Sequence, residues 1–237
     1  MNRPRPPLVA EFVGFPGAGK TTVAKRAVHS LRARKEIDPF FYSKDGKLSP
    51  GTRDLVTGLA LAARAAGRFL LTAVPTQGLR QMRRAADVLD KVLIARRVRR
   101  TLQEHSLVLF DQNIMQKLYL VHEGDRPPPE DLIAMLELLH DDLADIHVFI
   151  DTPPELAAQR CVARAKKSLQ RFYRGWSIER VSDLYREQYE ALDSMARWLQ
   201  EQPHTTVIRL DGTGKPEKLG EELARRLAEL LGERQSQ

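Results

Sequence analysis

Residues 14–21 read Gly-Phe-Pro-Gly-Ala-Gly-Lys-Thr, so three glycines are followed at once by a cation and a hydroxyl. The spacing Gly14-x4-Gly19-Lys20-Thr21 is the Walker A, or P-loop, pattern, and it has a physical reason. Glycines let the backbone curl until successive N–H groups point inward at phosphate oxygens. A helix opening near Lys20 adds the positive end of its dipole. The pattern therefore predicts a nucleotide phosphate site made by Gly14, Phe15, Pro16, Gly17, Ala18, Gly19, Lys20, Thr21 and Thr22. Lys20 reaches the β- and γ-phosphates, the Thr21 hydroxyl ligates Mg²⁺, and Thr22 is a further donor near the α-phosphate. A glycine-rich turn that only caps a helix would leave the Lys-Thr-Thr after it unexplained.

Such a site needs a carboxylate from a neighbouring strand to hold the metal shell. Asp111 ends the apolar run Leu107–Phe110 and is the first candidate. A polar strand terminus, or the N-cap of a helix over about 113–120, is the plainer account of it. Asp45 is the second carboxylate. It can orient or deprotonate an acceptor hydroxyl or ligate metal through water, or it can belong to an ordinary Asp-Gly turn. Arg160, Arg164, Lys167, Arg171 and Arg174 recur at three- and four-residue steps. On one continuous helix they share a side, and a mobile lid over about 156–176 would bring them onto the phosphates. The alternative is a solvated helix face, although few acids interleave between 156 and 178.

Strands and helices must place these groups. Apolar runs predict strands at 8–13, 39–43, 106–110, 146–150 and 205–210. Phe69–Val74 is ambiguous. Helices are expected over 21–35, 52–66, 79–104, 130–144, 152–168, from 177 to about 200, and 216–231. Thr152-Pro-Pro-Glu155 reads as a capping box, Ser177 as a start and Gly232 as a stop. Strands alternating with helices imply parallel strands joined by right-handed crossovers, with helices on both faces of the sheet. The expectation is a single α/β domain over 1–237 with a five-stranded parallel sheet. Ligands in such sheets bind beyond the carboxyl ends of the strands. Gly14, Lys44 and Asp45, Asp111, Asp151 and Asp211 all fall at that edge.

Composition narrows the class. The net charge is +7 over 237 residues, which suits an anionic ligand or simply an Arg-rich surface. The one cysteine, Cys161, excludes an internal disulfide and a cysteine metal cluster. No apolar run is long enough to span a membrane, and the residues before Leu8 do not read as a signal peptide. The cytoplasm is the expected compartment. Aromatics are only 6% of the chain, and the basic stretch 80–100 has none, which disfavours nucleic acid as the partner.

Four stretches resemble the thymidylate kinase-like branch of nucleoside and nucleotide kinases. They are Glu-Phe-Val-Gly-Phe-Pro-Gly-Ala-Gly-Lys-Thr-Thr, Leu-Val-Leu-Phe-Asp-Gln-Asn, Phe-Ile-Asp-Thr-Pro-Pro-Glu-Leu-Ala-Ala-Gln-Arg-Cys-Val-Ala-Arg, and Leu-Asp-Gly-Thr-Gly-Lys-Pro-Glu. They occur in the family's order across nearly the whole chain, and the third is the most specific. The resemblance implies a P-loop kinase core using ATP and Mg²⁺, with a small-molecule phosphoryl acceptor bound over about 43–105. It places the adenine between Arg160 and the loop Gly212–Lys215, and it makes Arg164 a lid arginine near the phosphates. Lys44-Asp45 looks like a variant of the family's Arg-Glu-Pro element that meets the acceptor. A nucleoside monophosphate such as thymidylate is the implied acceptor. The family carries Arg after the third-strand acid, however, and this chain has Gln112 there. A nucleoside, a sugar or another metabolite hydroxyl therefore stays open, as do a homodimer, a nucleotide-dependent binding protein and a kinase-like fold without catalysis.

Overall fold

The computed structural model describes residues 6–34, 37–42, 78–119, 129–165 and 173–236. The elements alternate as the apolar periodicity requires. β1 (Leu8–Val13) leads into α1 (Lys20–Ala33), and β2 (Pro39–Tyr42) follows. Next come α2 (Gly78–Thr101), β3 (Leu107–Phe110), α3 (Ile114–Tyr119) and α4 (Pro129–Leu138). β4 (Ile146–Asp151), α5 (Pro154–Ala165), α6 (Ile178–Gln200), β5 (Thr206–Asp211) and α7 (Pro216–Gln235) complete the order. The readings at 43–77, including Asp45, the helix expected over 52–66 and Phe69–Val74, lie outside the described residues, as do Lys167 and Arg171.

The five strands form one all-parallel sheet in the order β2-β3-β1-β4-β5. Register shows why the strands read as near-continuous apolar runs. Ala10 lies opposite Leu109 on one side and Ile146 on the other, so these three share a face. That face packs on α1 and α7 through Ala24, Ala27, Leu223 and Leu227. Val9, Val108, Phe110 and Tyr42 form the opposite face, which is covered by Ile94, Val98 and Leu102 of α2. Helices on both faces and a glycine loop between the central strand and α1 are compatible with a P-loop NTPase-like fold. Among the described residues no helix is long and apolar enough to cross a membrane.

Of the expected boundaries that move, two have a visible reason. The helix expected over 130–144 stops at Leu138, and one 3-10 turn, His140–Asp142, follows. Asp142 is buried in an ion pair with Arg96, and the Leu143 carbonyl accepts from Arg99 at 2.7 Å. These bonds turn the chain toward α2. Gly232 does not stop the last helix, which continues to Gln235. Glycine costs a helix only about 1 kcal/mol relative to alanine, and the buried stripe Leu223, Leu227 and Leu231 outweighs that. Ser177 caps α6 as expected, its hydroxyl accepting from the Arg180 amide at 3.2 Å.

Candidate functional site

The strand order makes β1 the central strand, with β3 and β4 on either side. The loop that leaves its carboxyl end thus lies at the point where connections diverge to the two halves of the sheet. Gly14, Gly17 and Gly19 all have positive φ, at 147°, 92° and 99°. At Gly17 a Cβ would lie 2.2 Å from the Ala157 carbonyl oxygen. The loop is therefore pressed onto α5, and only glycine fits there. Gly17→Ala is expected to cost about 2–3 kcal/mol from the clash and the left-handed backbone together. A lower midpoint in urea unfolding checks this.

Lys20 opens α1, with Gly19 as its N-cap and no side chain capping the helix end. Its ammonium is buried and donates to the carbonyls of Gly14 at 2.6 Å and Phe15 at 3.0 Å. Burial pushes its pKa down to about 8, which the Asp111 charge partly offsets and Arg164 reinforces. The Thr21 hydroxyl donates to both oxygens of Asp111, at 2.8 and 3.0 Å. Asp111 thus meets the first turn of α1, which also carries Lys20. A hydroxyl and one carboxylate are hard oxygen donors. They match the sparse protein contribution to a Mg²⁺ shell that is otherwise completed by waters and phosphates. Thr22, one residue further, is exposed.

Three side chains far along the chain hold this loop in shape. The Thr152 hydroxyl donates to the Ala18 carbonyl at 3.2 Å. The capping box expected at 152–155 is therefore not what Thr152 makes: α5 begins at Pro154, and Glu155 instead pairs with Arg186 at 2.6 Å. The Tyr185 hydroxyl donates to the Pro16 carbonyl at 3.0 Å, and its ring stacks on Phe15 with centroids 4.6 Å apart. The Tyr119 hydroxyl donates to the Gly14 carbonyl. Cys161, the only cysteine, is buried beside this cluster, and burial pushes its thiol pKa up.

Beyond the loop, Arg160 donates to the Gly212 carbonyl at 3.1 Å, joining α5 to the turn after β5. Lys215 caps α7 from that same turn and is exposed. Arg164 is exposed on the last turn of α5, within electrostatic reach of Lys20. Arg174 is exposed as well, so these two cations face solvent. Among the described residues, two other carboxylates at the sheet edge serve the scaffold. Asp151 binds Arg209 at 2.8 Å, and Asp211 accepts from the Thr213 amide at 2.9 Å.

One group was visible in the sequence without being singled out. Glu11 stands in mid-strand between apolar neighbours and is fully buried. Burial raises its pKa to about 8, and the Gln116 and Met115 amides hold back part of that rise. Its register neighbour on β4 is His147, also fully buried, whose pKa burial pushes down to about 3. Both are thus neutral near pH 7. No family model matches the chain, and no curated protein matches it in sequence.

Proposed function

We propose that the chain is an ATP-dependent kinase of the thymidylate kinase-like kind, transferring the γ-phosphoryl group to a small acceptor. The observation that carries this reading is the junction of Thr21 with Asp111, 90 residues apart, beside a buried Lys20 that no carboxylate neutralises among its hydrogen bonds. A buried ammonium whose hydrogen bonds go only to carbonyls is costly, and a polyphosphate is the ligand that would repay that cost. Thr21 and Asp111 would hold Mg²⁺, which supplies charge neutralisation at the phosphates. The loop 14–19 and the start of α1 orient the donor. Arg160, held on Gly212, frames one side of a base site, with Lys215 in the turn beyond. Arg164 adds charge at the mouth. A nucleoside monophosphate such as thymidylate is the first acceptor to test, with nucleosides and sugars behind it. Asp45 is a proposed acceptor contact.

Phosphoryl transfer of this type is mostly positioning and charge stabilisation. The test is γ-labelled ATP with Mg²⁺ and separate pools of nucleotides, nucleosides and sugars. Label should move into one pool only when Mg²⁺ is present. Asp111→Asn should slow transfer by about 10²-fold and raise the Mg²⁺ concentration needed for half-maximal rate. No transfer into any pool, together with no ATP binding by calorimetry, would sink the reading. The basic helix α2 gives the nucleic-acid alternative little support, because Arg96 and Arg99 are engaged by Asp142 and Asp145.

A further inference from the structure

Gly17 and Gly19 each carry an N–H that donates to no protein acceptor among the described residues. Gly17 is buried, and a buried amide without an acceptor is unfavourable. An anion held by the loop would accept from both. Which way these amides point depends on the peptide units that carry them. A trans peptide is planar, so its C=O and its N–H point in opposite directions. The Gly17 amide shares its peptide with the Pro16 carbonyl, and the Gly19 amide with the Ala18 carbonyl. Holding those two carbonyls therefore aims the two amides the other way.

Glycine alone does not keep them aimed. Both residues sit at positive φ, 92° and 99°, and the backbone freedom that allows this also lets the neighbouring peptide rotate. The restraint comes from distant side chains. The Tyr185 hydroxyl of α6 donates to the Pro16 carbonyl at 3.0 Å. The Thr152 hydroxyl, just before α5, donates to the Ala18 carbonyl at 3.2 Å. Both donors are buried and held in place. The Tyr185 ring stacks on Phe15 with centroids 4.6 Å apart. Burial raises its phenol pKa well above the ordinary tyrosine value, so the donated proton stays. Thr152 is backed by Gly212, where a Cβ would lie 1.8 Å from the Thr152 Oγ1. α5 and α6 pack on each other, so both carbonyls are drawn toward one helix pair and both amides are turned away from it.

We propose that Thr152 and Tyr185 are positioning residues for anion binding, which aim the Gly19 and Gly17 amides at the ligand by holding the Ala18 and Pro16 carbonyls. This rests on the nucleotide-binding reading above and adds two named residues to it, neither of which touches the anion. Each hydroxyl governs one peptide, so each should affect one glycine.

The test uses Thr152→Val and Tyr185→Phe, which keep the shape of each side chain and remove its hydroxyl. ADP affinity is measured by calorimetry with Mg²⁺ at pH 7, and ¹⁵N-edited spectra follow the Gly17 and Gly19 amides. In the wild type, ADP should shift both amide protons downfield as charge-assisted hydrogen bonds form. Each variant should bind ADP about 10-fold more weakly, the equivalent of one lost hydrogen bond. Thr152→Val should lose the Gly19 shift and keep that of Gly17, and Tyr185→Phe should do the reverse. A hydroxyl that only supported the fold would not distinguish between the two glycines. Thr152→Ser keeps a hydroxyl and should retain both the affinity and the Gly19 shift. The two variants probe separate peptides, so either one decides the matter should the other fold poorly. ADP affinity within twofold of wild type, or equal loss of both shifts in one variant, would overturn the proposal. So would wild-type protein that binds ADP with neither amide shifted. Wild-type protein that binds neither ADP nor ATP would overturn the nucleotide-binding reading, and this proposal with it.

Discussion

Lys20→Ala is expected to lower ATP-dependent phosphoryl transfer by about 10³-fold, roughly 4 kcal/mol of transition-state stabilisation. The ammonium is buried and lies on the carbonyls of the glycine loop. Its loss should not unfold the chain. Burial has already pushed the lysine's pKa down to about 8, so the folded state bears a desolvation cost that the substitution removes. Removing the methylenes costs stability in the other direction, and Lys20→Met retains that packing. A thermal melt of both variants separates catalysis from folding. The same pKa predicts a pH profile. The charged form is the useful one and is lost as pH rises through about 8. Wild-type kcat/KM for ATP, which reports the free protein, should therefore fall above pH 8. Full transfer activity in Lys20→Met at pH 7 would be incompatible with the kinase reading.

The second large effect concerns stability. Glu11 has a folded pKa of about 8 against an ordinary 4.5. Between those values the folded protein keeps a proton that the unfolded chain releases. Stability therefore falls as pH rises through this window, and the full gap corresponds to roughly 5 kcal/mol. His147 acts in the opposite sense but lower on the scale: with a folded value of about 3, its stability is lost as pH falls below about 6.5. Lys20 regains stability only above about pH 8, where the folded chain sheds its proton before the unfolded one. Glu11→Gln replaces a neutral acid by a neutral amide of the same shape, and His147 and Lys20 contribute alike to both proteins. Urea unfolding at pH 5.5 and pH 8 should find the two proteins similar at the lower pH. At pH 8 the variant should be the more stable by about 3 kcal/mol. A difference that does not change with pH would mean that Glu11 ionises normally in the folded state.

Much of the architecture was legible beforehand because its signals are local. Apolar runs of four to six residues bounded by glycine or aspartate marked each of the five strands. The order of elements placed Gly14, Asp111, Asp151 and Asp211 at one edge before any contact was known. The positive φ that Gly17 and Gly19 adopt is one that a residue without Cβ takes up at little cost, so the glycine spacing could announce it. The Ser177 cap is likewise settled within four residues.

Other features were not legible, and each depends on groups distant in the chain. Thr152 reads locally as a helix cap, yet docking of α5 on the loop turns its hydroxyl to the Ala18 carbonyl, 134 residues away. Gly232 reads as a stop, but burial of the leucine stripe on α7 overrides a preference worth about 1 kcal/mol. The basic stretch 80–100 left an anionic ligand and an Arg-rich surface both open, and only the fold brings Asp142 and Asp145 onto Arg96 and Arg99.

The sequence by itself determined which residues can turn through positive φ, which segments are strands, and where cation, hydroxyl and carboxylate stand along the chain. These follow from backbone sterics and hydrophobic period, which act over a few residues. The tertiary structure alone decided that Thr21 meets Asp111, that Tyr119 shares a carbonyl with Lys20, and that Glu11 is neutral. Those outcomes depend on strand order, on register and on the exclusion of water, which arise only once distant segments pack.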